Sequence, residues 1–423
     1  MFEKVIGYTD LKKELEMMVD TIVHPEKYRS LDIIPPRNVL LFGEPGIGKS
    51  LVATELISAT GRKSYTIRKN RPNGDFVNYI KSVFDEAKRN QPSIVLCEDV
   101  CKFANEDDLH RDAEEYVTLQ SCIDEVAKEG TDVFVIATAN NIRRLPDSLI
   151  RKGRFDKVIK MSYPTGEESI KIVEHYLENK RLDDDVSAAE IGRILNGSNC
   201  ATLKSVTEEA GLYCGFDGRS KINRNDLIRA AMRIIFDAPA SSEPMKSEDE
   251  KRMAVHEIGH ALAVLCLEPE AINIVSINRH GGRIGGVTSY TNNESYFYST
   301  RFMQERVIAL LAGKAATELV YGEGDTGCNN DLTRAFNIVE RFVDDYAVFG
   351  FDKFESHGSS PALIERKETY IYAELDRYYA RARQLISSNK ELFDILVEEL
   401  IKKKTLTGDE LRRISAGHIH KAS

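Results

Sequence analysis

The stretch NVLLFGEPGIGKSLVATELI, residues 38–57, constrains the fold more than any other part of this chain. Its start is apolar enough to be a buried strand, its end reads as a helix, and between them lies the pattern GxxxxGK[ST]. Gly43, Gly48, Lys49 and Ser50 stand at the fixed positions, with Glu44, Pro45, Gly46 and Ile47 filling the loop and Leu51 following. Backbone N–H groups of such a loop, with the free N–H groups of the helix behind it, cradle phosphate. Lys49 is placed for the terminal phosphates of ATP and Ser50 for Mg²⁺. Strands alternating with helices give a parallel α/β sheet.

The next segments extend that site. A second apolar strand, Ser93 to Cys97, ends in Glu98 and Asp99, where a P-loop enzyme places a Mg²⁺-coordinating and a water-orienting carboxylate. A third, Val133 to Thr138, leads to Asn140, placed to sense the terminal phosphate. In LIRKGRFD, Arg151 and Arg154 stand beside the P-loop machinery as candidate arginine fingers for a neighbouring subunit's nucleotide. Helical spacing over Lys171 to Lys180 and within Ala188 to Phe236 predicts a small helical subdomain. The run DAPASSEPMKS, Asp237 to Ser247, reads as a linker.

Beyond it, KRMAVHEIGHALAVLC, Lys251 to Cys266, carries HExxH. Met253, Ala254, Ile258, Ala261, Leu262 and Leu265 recur at helical intervals, so His256 and His260 fall one turn apart and can reach the same Zn²⁺. Ser247 with Glu250 forms a capping-box pair, and Glu248 and Asp249 suit the positive end of the helix dipole. Zinc lowers the pKa of a water at such a site, and Glu257, beside the metal but not bound to it, is placed to take the proton. Two histidines on a half-buried helix also occur as ordinary packing residues, so a third ligand matters. GEGDTGCNNDLTRAF offers Glu323, Asp325 and Asp331, and spacing does not choose among them. His280, His357, His418 and His420 are read as solvent-facing.

AINIVSINRHGGRIGGVTSY reads as two strands around a turn containing Gly281, Gly282, Gly285 and Gly286. A strand over Gly286 to Tyr290 suits substrate capture by strand addition. Helices are expected over Thr300 to Tyr321, Asp331 to Tyr346 and Glu368 to Lys402.

Composition excludes several classes. At 423 residues there is room for two or three domains, and a net charge of −9 without clustered Lys and Arg argues against nucleic acid as a partner. Seven scattered cysteines with no CxxC pair point to a reduced, cytoplasmic setting rather than a disulfide scaffold. No run is apolar enough for a membrane helix, so the chain is expected to be soluble as given.

With these motifs in order, GEPGIGKS, ATAN, LIRKGRFD, HEIGHA, LLAGKAATELVYG and CNNDLTRA, the chain resembles the FtsH family of AAA+ ATP-dependent zinc metalloproteases from about Phe2 to Leu411. The resemblance implies an α/β P-loop AAA+ ATPase, with a parallel sheet and a small helical lid subdomain, followed by a mainly α-helical zinc metalloprotease domain. The expected boundaries are 1–165, 166–237, a linker at 238–247, and 248–423. It further implies zinc on His256, His260 and Asp331, Glu257 as general base, ATP with Mg²⁺ on residues 43–51 and Glu98, Asp99 as the water-orienting base, Asn140 as nucleotide sensor, and Arg151 and Arg154 acting across a ring interface. Members of the family work as hexamers that feed unfolded protein through a pore to the zinc sites. They generally carry membrane helices ahead of the ATPase, so a site on the cytoplasmic face of a membrane is the alternative to a soluble cytoplasmic one.

Two departures bear on activity. The family usually reads Asp-Glu where this chain reads Glu98-Asp99. The aromatic pore loop should fall near Lys69 to Asp75, but KNRPNGD lacks an aromatic, with Phe76 and Tyr79 following. They keep open two alternatives: a nucleotide-controlled remodelling or substrate-holding ring with weak ATP turnover, and an ATP-independent zinc peptidase.

Overall fold

A computed structural model describes residues 1–33, 36–104, 113–128, 131–151, 153–236, 246–278, 286–291, 298–348 and 360–419. The chain divides into two compact units, Met1–Leu227 and Ile228–Ser423. Of the expected linker, residues 237–245 lie outside the described residues, as do Gly281, Gly282, Gly285, His280, His357 and His420.

In the first unit, β1 (Asn38–Phe42), β2 (Lys63–Ile67), β3 (Ser93–Cys97), β4 (Val133–Ala139) and β5 (Lys157–Lys160) form one parallel sheet in the order β2-β3-β4-β1-β5. Alternate residues of the central strands serve opposite faces, as a period of two requires. Leu40, Val95, Val135 and Ala137 join one core with α4 (Asn73–Arg89) and α5 (Glu114–Lys128), while Val39, Leu41, Ile94, Leu96 and Ile136 join another with α1 (Thr9–Val23) and α3 (Lys49–Thr60). The short helix α2 (Pro25–Arg29) follows α1, and α6 (Asp147–Ile150) precedes β5. The edge strands β2 and β5, KSYTI and KVIK, were not among the expected strands. Their alternation is weak because an edge strand has little burial to advertise: β2 is mostly exposed or half-buried.

The small helical subdomain comprises α7 (Gly166–Leu177), α8 (Ala188–Ile194), α9 (Cys200–Phe216) and the start of α10 (Arg224–Phe236). Thr165 and Glu168 make the capping box that starts α7, and Asn199 accepts from the Thr202 N–H to start α9.

The second unit is built on α11 (Ser247–Leu267), buried without a break from Ala254 to Cys266. It packs along α12 (Thr300–Tyr321), with α13 (Asn329–Asp344), α14 (Pro361–Ser388), α15 (Lys390–Lys403) and α16 (Gly408–Ser415) around them. Gly259 allows the close approach of α11 to α12, since a Cβ there would meet Ala312 O at 2.5 Å and Ala316 Cβ at 2.7 Å. β6 (Ile272–Ser276), β7 (Val287–Tyr290) and β8 (Thr405–Thr407) form an antiparallel sheet in the order β7-β6-β8, which leaves β7 at an edge.

Two local expectations are corrected. Ser247 does not cap α11: the N-cap is Lys246, with no side-chain cap, and Glu250 is instead drawn into an ion pair with Lys404. The single helix expected over Glu368 to Lys402 is two, broken at Asn389, whose side chain donates to Leu385 O at 2.9 Å. Among the described residues, no helix is long and apolar enough to cross a membrane.

Candidate functional site

The nucleotide cleft opens where β1, β3 and β4 end, as expected at the carboxyl edge of a parallel sheet. It is a cavity of about 650 Å³ lined by the loop from Pro45 to Val52 together with Asp99, Thr138 and Asn140. The loop depends on backbone that only glycine adopts freely: Gly46 and Gly48 have φ of 80° and 95°. Lys49, buried at the base of the loop, donates to Gly43 O and Glu44 O at 2.8 Å. Burial lowers its pKa, opposed in part by the nearby Asp99 carboxylate. The helical subdomain closes on the same loop, with Ala201 N–H donating to Gly46 O at 2.9 Å and Asn199 Nδ2 to Pro45 O at 3.3 Å.

The two carboxylates after β3 part ways. Asp99, in the left-handed region at φ 53°, faces the cavity and accepts from Asn140 Nδ2 at 3.0 Å, and its N–H donates to Thr138 Oγ1 at 2.9 Å. Glu98 is engaged by Arg68, whose Nε donates to Oε2 at 2.5 Å.

The arginines differ as well. Arg154 is held inside its own subunit, by Asp124 at 2.8 and 3.0 Å and by Gln120 Oε1 and Ser148 O at 2.6 Å. Arg151 is exposed.

The two aromatics after KNRPNGD differ: Phe76 is in the core and Tyr79 is half-buried. Phe76 is fully buried under Lys69, whose ammonium lies 4.5 Å from the ring centroid, and Tyr79 donates its hydroxyl to Thr66 O at 3.0 Å beneath the Arg71 guanidinium.

In the second unit, α11 brings His256 and His260 together, and the start of α13 supplies Asp331. The two Nε2 atoms stand 3.0 Å apart, and Asp331 Oδ2 lies 3.4 Å from His256 Nε2 and 3.3 Å from His260 Nε2. Three donors on a tetrahedral Zn²⁺ with bonds near 2.05 Å are separated by about 3.4 Å, so these residues fit the metal. His260 Nδ1 is 2.7 Å from Ala309 O, a contact that places its proton on Nδ1 and leaves Nε2 with a lone pair. His256 Nδ1 is buried with no hydrogen-bond partner among the described residues. Burial lowers the His260 pKa, but the hydrogen bond and charge of Asp331 outweigh it and the net shift is upward. Burial likewise works against the Asp331 carboxylate, and the two imidazoles override it and hold its pKa well below the usual range. Of the three acidic candidates, only Asp331 meets both histidines in this cluster; Glu323 pairs with Arg252, and Asp325 accepts from Gly327 N–H. His418 is exposed.

Glu257 is buried next to this cluster and lines the same cavity, of about 640 Å³. Two neighbours escaped the reading of the sequence. Thr288 on β7 donates to Glu257 Oε2 at 2.7 Å. Gly313 on α12 lies so close that a Cβ there would run into His260 Nε2 and sit 2.7 Å from His256 Cε1. A glycine inside the otherwise strong helix LLAGKAATEL, where it costs about 1 kcal/mol against alanine, was the available signal for Gly313. Nothing local marked Thr288.

Residues 243–414 match Peptidase family M41, and residues 39–163 match the ATPase family associated with various cellular activities (AAA). The ATP-dependent zinc metalloprotease FtsH 2 of Symbiobacterium thermophilum is 31% identical over 444 residues, covering 98% of this chain and 74% of the relative. The chain belongs to the FtsH family. Two further relatives agree: FtsH 2 of Thermoanaerobacter sp. (strain X514), 27% identical with 98% of this chain and 82% of the relative covered, and FtsH of Bacillus subtilis (strain 168), 26% identical with 98% and 69% covered. The family architecture, an AAA ATPase followed by an M41 peptidase, accounts for the parallel sheet and the helical unit described above.

Proposed function

We propose that this chain is an ATP-dependent zinc metalloprotease that hydrolyses peptide bonds of unfolded or partly folded proteins. The observation that carries the reading is the convergence of His256 Nε2, His260 Nε2 and Asp331 Oδ2 beside Glu257. His256, His260 and Asp331 hold zinc, and bound zinc supplies Lewis acidity that polarises the scissile carbonyl and acidifies water. Glu257, held near the metal by α11, takes the proton from the attacking water and returns it to the leaving amine. Among the described residues β7 is an edge strand, the position from which an extended substrate can be paired. Such pairing suits a protease that cuts many sequences.

ATP with Mg²⁺ binds residues 43–51. Lys49 and Ser50 serve the phosphates and the metal, and Asp99 and Asn140 face the terminal phosphate from the cavity wall. Arg151, exposed, reaches the nucleotide of a neighbour in a homohexameric ring. ATPase and lid occupy 1–165 and 166–237 and the protease 248–423. The seven cysteines are free thiols, which suits the cytoplasm or the cytoplasmic face of a membrane.

The test is zinc content measured together with degradation of one folded and one unfolded protein. Chelation and Glu257→Gln should each abolish cleavage of both, and Lys49→Ala should abolish cleavage of the folded one. Proteolysis that survives chelation rules the reading out. A second reading, a substrate-holding ring with slow ATP turnover, is favoured by the Arg68–Glu98 pair and the buried Phe76. ATP turnover stimulated by unfolded protein would count against it.

A further inference from the structure

Thr288 sits on the strand that borders the metal cluster and makes its hydrogen bond to the one carboxylate of HExxH that binds no metal. Its Oγ1 lies 2.7 Å from Glu257 Oε2 and 3.1 Å from Glu257 O. One residue of the same segment closes on the other oxygen: a Cβ on Gly286 would stand 2.5 Å from Glu257 Cγ and 2.6 Å from Oε1, so Gly286 packs directly against the carboxylate. Glu257 is buried, and among the described residues Thr288 is the side chain that hydrogen-bonds to its carboxylate.

The torsion that turns a Glu carboxylate about Cγ–Cδ is broad and weakly restrained. A base that must accept a proton along one direction gains from having that torsion set before the substrate arrives. We propose that Thr288 is a positioning residue for the hydrolytic step: its hydroxyl, donating to Oε2, fixes the Glu257 carboxylate against β7. The remaining carboxylate lone pairs are then held ready to accept the proton of water. By this assignment Thr288 acts through Glu257 and not on the reacting atoms. Because β7 is also an edge strand, the base is anchored to the element that an extended substrate pairs with, so substrate and base share one frame of reference. This inference rests on the metalloprotease reading.

The test uses the zinc-loaded 423-residue chain and a fluorogenic peptide, comparing Thr288→Val, which keeps the shape and removes the hydroxyl, with Thr288→Ser, which restores it. Loss of one hydrogen bond to a charged group predicts a fall in kcat of about ten-fold or more for Thr288→Val, with KM little changed. Thr288→Ser should recover most of the rate. Zinc content and ATP turnover, measured on the same samples, report that both units are folded. Crystals of zinc-loaded Thr288→Val should show the Glu257 carboxylate rotated or in more than one orientation. A Thr288→Val enzyme with kcat within about two-fold of the parent, or a change confined to KM, overturns the proposal. So does a Thr288→Ser enzyme as slow as Thr288→Val. A parent protein that binds zinc yet cleaves nothing sinks the protease reading itself, and this inference with it.

Discussion

Arg68 donates to Glu98 while the adjacent Asp99 turns into the nucleotide cavity and accepts a hydrogen bond from Asn140. Two neighbouring carboxylates at one strand end therefore have different environments. The ion pair is half-open to water, with Arg68 side-chain exposure of 70% against 15% for Glu98. Freeing Glu98 by Arg68→Gln should raise steady-state ATP turnover by up to about five-fold, the worth of such a pair. Asp99→Asn should lower it far more than Glu98→Gln does. Turnover reduced by Arg68→Gln, or a reversed order for the two carboxylates, would show that the pair supports hydrolysis.

Arg151 and Arg154 should separate by phenotype. Arg154 donates to Asp124, Gln120 and Ser148 O in its own subunit, so Arg154→Ala should destabilise the ATPase unit by about 2 kcal/mol and lower its Tm. Arg151→Ala should leave Tm unchanged and abolish ATP turnover. Rings mixed from Arg151→Ala and Lys49→Ala subunits should regain some turnover, because an intact arginine can then face an intact P-loop. Mixed rings as dead as their parents would argue against action between subunits.

Gly313→Ala tests the metal site through the helix beside it. In an ordinary helix interior this change stabilises by about 1 kcal/mol. Here the added methyl runs into His260 Nε2 and the His256 ring. Zinc per chain, read by metal analysis, should fall well below one, and the Tm gain that zinc confers on the parent should shrink with it. Full zinc occupancy in this variant would mean that the histidines have room to spare.

Cys200 gives a pH-dependent handle on the nucleotide cleft. It is the one cysteine of the seven that is not buried, and it lines the cavity beside Tyr8. Burial raises its thiol pKa, opposed in part by the Tyr8 hydroxyl. The reactive thiolate is therefore scarce at neutral pH, and alkylation should be slow there and accelerate only above the usual thiol range. Mass spectrometry should find Cys200 labelled first, and ATP should protect it. Labelling unaffected by ATP would place Cys200 outside the bound nucleotide's reach.

Much of the candidate site was legible because its parts are local. GxxxxGK[ST] encodes a loop and a helix start, and HExxH needs only one helical turn to bring two imidazoles together. The cap of α11 misled for the opposite reason: Ser247 and Glu250 have the right spacing, but Lys404, distant in sequence, claims the glutamate. The edge strands β2 and β5 were missed because half of each is solvent-facing and carries little hydrophobic pattern.

The sequence alone determined the chemistry on offer: a phosphate loop with Lys49 and Ser50, two histidines and a glutamate on one helix, and carboxylates at a strand end. Tertiary structure decided which members of each set act together. Asp331 rather than Glu323 or Asp325 meets the histidines because α13 begins beside α11. Asp99 rather than Glu98 faces the cavity, with Asn140 and Lys102 on its carboxylate and Arg68, after β2, on Glu98. Thr288 reaches Glu257, and Gly313 makes room for two imidazoles, across contacts between elements far apart in the chain. Spacing along a chain encodes geometry only within a turn or a strand; beyond that, packing chooses the partner.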